Sequence, residues 1–248
     1  MPSDHEREDW EELAETDPFW AVLSDPTRKG SGWQLEEFLA TGERDLRSTL
    51  DRAQELGVPR SFGSAVDIGC GVGRITRPLS ERFDSCLGVD VSEVMIRYAT
   101  RINSDRPNCS FRRLGATELD QLAVRSFDLA WCVLVLQHLP PAGAERAISS
   151  LVSLVRLGGV AIFQVPYTTR PLHRLQLARS GYHLLRRTGV SASTILRRTP
   201  LTPMRMITLS EQRVRELVRA GGGEVLAADA HDEASDTPGR LYFVSPLS

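Results

Sequence analysis

Val66-Asp67-Ile68-Gly69-Cys70-Gly71-Val72-Gly73-Arg74 is the stretch on which the reading of this 248-residue chain turns. The run from Ser64 to Ile68 is apolar enough for a buried strand, and it breaks into three glycines at alternate positions. Ile75, Leu79 and Phe83 then recur at helical spacing. Strand, glycine turn and helix make the approach to a nucleotide site, because glycine lets backbone N–H groups meet a ligand with no Cβ in the way. A dinucleotide site wants G-x-G-x-x-G, and Arg74 stands where its third glycine would be. The spacing here is instead G-x-G-x-G, with the acid Asp67 two residues ahead of it.

The flanking elements agree with that strand and turn. Ser85-Cys86-Leu87-Gly88-Val89-Asp90 is a second short apolar strand ending in an acid, at a distance that suits a carboxylate reaching both hydroxyls of a ribose. Ser92 then caps a helix through Val94, Met95, Ile96 and Tyr98. A third strand is read over Cys109–Arg113, a fourth begins Ser126-Phe127-Asp128 and runs into Gln137-His138-Leu139-Pro140, and a fifth follows Leu157-Gly158-Gly159 to Pro166. Four strand–helix alternations imply a parallel sheet with helices on both faces. Beyond an insert come a helix over 210–220, a glycine run at 221–223, and strands over 224–230 and 240–245. A turn at Asp236-Thr237-Pro238-Gly239 should make those last two an antiparallel hairpin at one edge.

In order and spacing these motifs resemble the class I S-adenosylmethionine-dependent methyltransferases of the small-molecule type, closely over 64–166 and more loosely beyond. The resemblance implies an α/β, Rossmann-like doubly wound sheet of seven strands in the order 3-2-1-4-5-7-6 with strand 7 antiparallel. It implies S-adenosylmethionine as cofactor, bound by Asp67, Gly69, Cys70, Gly71, Gly73, Asp90, Val91, Ala116, Thr117 and Val133. That donor ends in an amino acid rather than a pyrophosphate, so an acid near its ammonium is electrostatically sensible. One position departs from the family pattern. Where many members carry Asp-Ala, whose carboxylate meets the adenine amino group, this chain has Gly115-Ala116-Thr117. Adenine is then expected against the backbone of Ala116, the Thr117 hydroxyl and Val91.

The divisions expected are a helical N-terminal cap over 1–62, the donor-binding core over 63–166, a lid or substrate insert over 167–206, and the rest of the core over 207–248. In the cap, helical pieces are read at 6–15, 34–39 and 43–57, with Asp17-Pro18 and Asp25-Pro26 as turns. Trp10, Phe19, Trp20, Trp33 and Phe38 concentrate here. They either staple this layer to the sheet or roof the donor, and Trp20 and Trp33 are the candidates for substrate contact. In the insert, Leu172, Leu175, Ala178, Tyr182 and Leu185 share a helical face, interleaved with His173, Arg174, Arg179, His183, Arg186 and Arg187, and Arg197 and Arg198 follow. Such a helix reads first as a lid with a solvated charged face, second as a site for an anionic acceptor, third as a surface for anionic lipid. Tyr167 and His173 are further candidates for acceptor contact.

Composition bounds the rest. Thirty basic and 32 acidic residues leave a net charge near −2, with no basic footprint for nucleic acid. No run of about 18 apolar residues suggests a membrane helix. The acidic N-terminus lacks the apolar centre of a secretory signal, so the cytoplasm is the expected compartment. Cys70, Cys86, Cys109 and Cys132 have no metal-ligand spacing and read as small buried hydrophobes, so no metal is expected.

Methyl transfer from a sulfonium is an in-line displacement in which the protein aligns the reactants and excludes water. A hydroxyl acceptor would also benefit from a general base, worth roughly 10²–10⁴-fold. His138, just past the fourth strand, is the candidate catalytic residue; the alternative reading is that it only shapes the pocket. Tyr167, His173 and His183 are alternatives, while His5 and His231 sit among acids and read as surface residues. The reading is O-methylation of a small-molecule acceptor, with N- or C-methylation, a non-catalytic partner of the same fold, and an NAD-dependent oxidoreductase as alternatives. A homodimer is an open option, and integral membrane contact is not expected.

Overall fold

β1 (Ser64–Ile68), β4 (Phe127–Cys132) and β5 (Val155–Pro166) occupy the middle of the sheet, where strands covered on both faces need near-continuous apolar runs. The structure, a computed structural model, describes residues 4–30, 32–168, 176–231 and 238–247. With β2 (Ser85–Asp90), β3 (Cys109–Arg113), β6 (Gly223–His231) and β7 (Gly239–Pro246) they form one seven-stranded sheet in the order 3-2-1-4-5-7-6. β7 runs antiparallel to both β5 and β6, as expected. The hairpin turn was expected to begin at Asp236, and 232–237 lie outside the described residues.

Two cores fill the faces of the sheet. On one, Val66, Ile68, Ala130, Cys132 and Phe163 pack against Ile148 and Leu151 of α6 (Pro141–Leu154) and Val214 and Val218 of α9 (Glu211–Ala220). On the other, Ala65, Leu129, Trp131 and Ile162 meet Leu46, Leu50 and Ala53 of α3 (Leu35–Glu55) and Leu79 of α4 (Thr76–Leu79). A third core sits apart from both. It joins Leu13 of α1 (Asp4–Thr16) and Ala21 of α2 (Pro18–Val22) to Tyr182 of α7 (Leu177–Arg187) and Ile195 and Leu196 of α8 (Ala192–Arg198). Val94 and Met95 of α5 (Glu93–Ile102) complete it.

Several local expectations change. The pieces read at 34–39 and 43–57 are one helix, α3, with Gly42 in its middle. Gly42 is there for close approach: a Cβ would collide with the carbonyl of Arg74. Pro78, four residues after Arg74, has no N–H to give that carbonyl, and the helix after the glycine turn shrinks to α4. The two Asp-Pro pairs open helices rather than turns. Asp17 accepts the Trp20 N–H at 3.1 Å and caps α2, and Asp25 accepts the Thr27 N–H at 2.8 Å and caps a 3₁₀ turn over Pro26–Arg28. In the insert, Leu172 and Leu175 lie outside the described residues, whereas Tyr182 is fully buried in the third core. No helix among the described residues is long and apolar enough to cross a membrane.

Candidate active site

The strand order reverses between β1 and β4, so the loops leaving their carboxyl ends diverge and open a crevice. Leaving β1, Gly69 and Cys70 both donate to the Val89 carbonyl, at 2.8 and 3.0 Å, which pins the turn to the end of β2. Gly71 follows with φ +53, in the left-handed region that favours glycine, and donates its N–H to Asp90 Oδ2 at 2.9 Å. A Cβ on Gly71 would lie 2.5 Å from Cγ2 of Val22 in α2. Gly73 faces elsewhere: a Cβ there would strike Asn103 and Phe111, so it serves packing between the turn and α5 and does not line the cavity.

Three charged side chains meet in the crevice, Asp67 and Arg74 buried and Asp90 half-buried. Asp67 accepts the Thr76 hydroxyl at 2.6 Å, and burial pushes its carboxyl up to about 6. Asp90 accepts one backbone N–H on each oxygen, Gly71 on Oδ2 and Ser92 on Oδ1, both at 2.9 Å. Burial raises it to about 6 as well. Arg74, only 4% exposed, gives Nη1 to Asp45 at 2.5 Å and to Thr41 at 3.2 Å. Its Nε is buried and has no hydrogen-bond partner among the described residues. Burial, with the nearby Asp90 and Asp67 carboxylates, drives the Cys70 thiol far above the usual range, so it is inert.

The remaining walls are mostly apolar. Val91, Leu114, Gly115, Ala116 and Leu139, with Trp131, Val133, Leu134 and Val135, are among the lining residues. Thr117 is not on the lining; its hydroxyl oxygen is buried with no partner among the described residues. Trp10, Ala21 and Val22 close the cavity from the N-terminal helices.

His138 lines the cavity beside Trp10, ring centroids 5.3 Å apart and edge to face. Its Nδ1 lies 2.7 Å from the Arg205 carbonyl, and a carbonyl only accepts. Nδ1 therefore carries the proton and Nε2 keeps its lone pair. Burial lowers the imidazole to about 4, so it is neutral near pH 7. Sequence reasoning had no signal for this carbonyl, which belongs to a return segment that also places the Ile207 N–H 2.9 Å from the Gln137 carbonyl.

The other described candidates for acceptor contact are not on the cavity lining. Trp20 donates its indole N–H to the Asp25 carbonyl at 3.0 Å, under the Lys29 ammonium. Trp33 packs edge-on against Phe38. Tyr167 is 48% exposed beside Arg240. His173 is outside the described residues, and His183 Nε2 stands 3.5 Å from Asp9. Of the N-terminal aromatics it is Trp10 that roofs the site.

Residues 65–159 match a family model described as a methyltransferase domain. Over 142 residues the chain is 35% identical to trans-aconitate 2-methyltransferase of Deinococcus radiodurans, covering 56% of this chain and 52% of that protein. Over 121 residues it is 28% identical to a ubiquinone biosynthesis O-methyltransferase of Methylococcus capsulatus, covering 48% of this chain and 50% of the other. The chain thus spans about half the length of these curated relatives. Among solved structures, magnesium protoporphyrin IX methyltransferase from Synechocystis PCC 6803 with bound SAH superposes with a TM-score of 0.63 at 18% identity, over 97% of each chain. At that identity the likeness is one of fold.

Proposed function

The chain belongs to the class I S-adenosylmethionine-dependent methyltransferase family, and from that premise we propose that it moves a methyl group from S-adenosylmethionine to an oxygen of a small-molecule acceptor. The observation that carries this reading is the meeting of Asp67, Arg74 and Asp90 around one glycine turn. The amino-acid end of the donor is a zwitterion. Asp67 offers a buried carboxylate to its ammonium, and the unsatisfied Nε of Arg74 suits its carboxylate. Each Asp90 oxygen has taken one N–H and keeps a further lone pair, which fits a ribose diol. The backbone at Gly115 and Ala116, with Val91 and Leu114, meets the adenine in place of the family's carboxylate.

Bound there, the donor supplies an electrophilic methyl group. The chain's own residues align the acceptor, exclude water and handle its proton. Trp10, Ala21, Val22, Val135 and Leu139 leave an apolar wall for the acceptor's body. His138, held as the Nδ1–H tautomer, takes the acceptor proton on Nε2. An imidazole lowered to about 4 is always unprotonated near neutrality but accepts a proton weakly. It therefore suits an acidic hydroxyl, such as a phenol or a carboxylic acid, better than an aliphatic alcohol. The insert's Arg179 and Arg186 are turned to acids of α1 rather than to the cavity, which favours the lid reading of 167–206 together with 1–62.

The test is S-adenosylhomocysteine release across a panel of phenolic, carboxylic and amine acceptors, with S-adenosylhomocysteine affinity measured by calorimetry. With the best acceptor, His138→Ala is expected to lower kcat by at least about tenfold and leave that affinity nearly unchanged. Near-normal kcat in the mutant, or turnover of amines alone, would retire the histidine as base and reopen nitrogen and carbon acceptors.

A further inference from the structure

Asp90 sits at the head of a turn that is held from outside the sheet. Glu11, on α1, spends its whole carboxylate there: Oε2 accepts the Ser92 hydroxyl at 2.7 Å and the Val94 N–H at 3.1 Å, and Oε1 accepts the Glu93 N–H at 2.7 Å. Ser92 in turn gives its own N–H to Asp90 Oδ1 at 2.9 Å. One unbroken chain of hydrogen bonds thus runs from the N-terminal helix through Ser92 to the acid that lines the cavity. We infer that Glu11 is a positioning residue for the donor, fixing the turn at 90–94 so that Asp90 presents its remaining lone pairs to the ribose. This rests on the donor reading given above.

A role confined to helix capping does not account for the arrangement. α5 already has a side-chain cap, the Ser92 hydroxyl accepting the Met95 N–H at 3.1 Å. Glu11 adds the two first-turn N–H groups that this cap leaves open, from a segment 82 residues away in sequence for Glu93. It also brings a second carboxylate toward Asp90, a repulsion that the helix N-terminus offsets. Burial pushes the Glu11 carboxyl up, but the bonds from Ser92, Glu93 and Val94, with Arg113 nearby, hold it below its ordinary value, so it stays charged. The preceding residue, Trp10, lies on the cavity wall against His138. One turn of α1 therefore braces the donor side and walls the acceptor side.

Calorimetry with S-adenosylhomocysteine and its 3′-deoxy analogue, on wild type, Glu11→Ala and Glu11→Gln, tests this. Glu11→Ala is expected to weaken S-adenosylhomocysteine about tenfold, the loss of charged hydrogen bonds that orient Asp90. Glu11→Gln, which keeps one carbonyl acceptor, should weaken it about threefold, and it carries the test if the alanine variant melts below the assay temperature. The penalty for removing the ribose 3′-hydroxyl should shrink in the variants, because a misaimed Asp90 has less to lose. Equal affinity in folded variants, or an undiminished 3′-hydroxyl penalty, overturns the inference and leaves Glu11 a brace of the fold. A wild type that binds no S-adenosylhomocysteine overturns the donor reading and this inference with it.

Discussion

Below the cavity, β1, β4 and β5 are held by side chains such as Ile68, Leu129, Cys132 and Phe163, all fully buried between helices on both faces. Above it, α1 meets α7 largely through charge. Glu12 accepts the Tyr182 hydroxyl at 2.5 Å and pairs with Arg186, and Asp9 stands 3.4 Å from Arg179 and 3.5 Å from His183. Both regions have an apolar core, yet they answer to different conditions. Apolar burial in the sheet is not screened by salt, whereas the partly exposed pair of Glu12 with Arg186 is. On the lid reading proposed above, the floor of the site is expected to stay fixed while its cover responds to solution and ligand.

The strongest test of the floor is Gly71→Val. At φ +53, and with Val22 where the new side chain must go, this change should abolish S-adenosylhomocysteine binding, a loss of at least about a hundredfold. Retained affinity would move the donor off the glycine turn and erase the difference between floor and cover.

Next in size is the stability that the site gives up. Burial lifts the Asp67 carboxyl to about 6, above its usual value, so the fold favours the protonated acid. Its contribution to stability is complete below about pH 4 and lost as pH rises through about 6, an effect on the order of 3 kcal/mol. Asp67→Asn is therefore expected to raise Tm near pH 8, with the gain vanishing toward pH 4, while donor affinity falls. Thermal melts across that range that show no pH-dependent gain would mean that Thr76 and Arg74 fully offset the burial.

The smallest effect belongs to the cover. Glu12→Gln should cost only about 0.5–1 kcal/mol, because the pair with Arg186 is partly solvated. Hydrogen exchange should nonetheless quicken in α1 and α7 and stay unchanged in β4 and β5, and high salt should reproduce the pattern in wild type. S-adenosylhomocysteine should slow exchange in the same two helices. Uniform exchange under all of these conditions would make cover and floor one rigid body.

The floor was legible because its chemistry is local. Asp67, Gly69 and Gly71 lie within five positions, Asp90 follows at βαβ distance, and strands buried on both faces announce themselves as apolar runs. The cover was not, because its contacts join residues without any period between them: Glu12 and Arg186 are 174 positions apart. The helical pieces at 34–39 and 43–57 read as separate although Gly42 between them marks close packing against Arg74, and Asp17-Pro18 read as a turn because the same two residues also start a helix. Trp10 was one aromatic among five, and only the docking of α1 onto α5 through Glu11 singles it out as the roof.

Val22 fills the place that any side chain on residue 71 would take. A molecule that crosses Gly71 has to claim that volume, so arrival and departure both require α2 to give way. This helix has five residues, fastened at its start by Asp17 and at its end by the Leu23 N–H on the Phe19 carbonyl at 3.0 Å. On the donor pose proposed above, the residence time of the spent donor is expected to depend on this short helix rather than on the sheet.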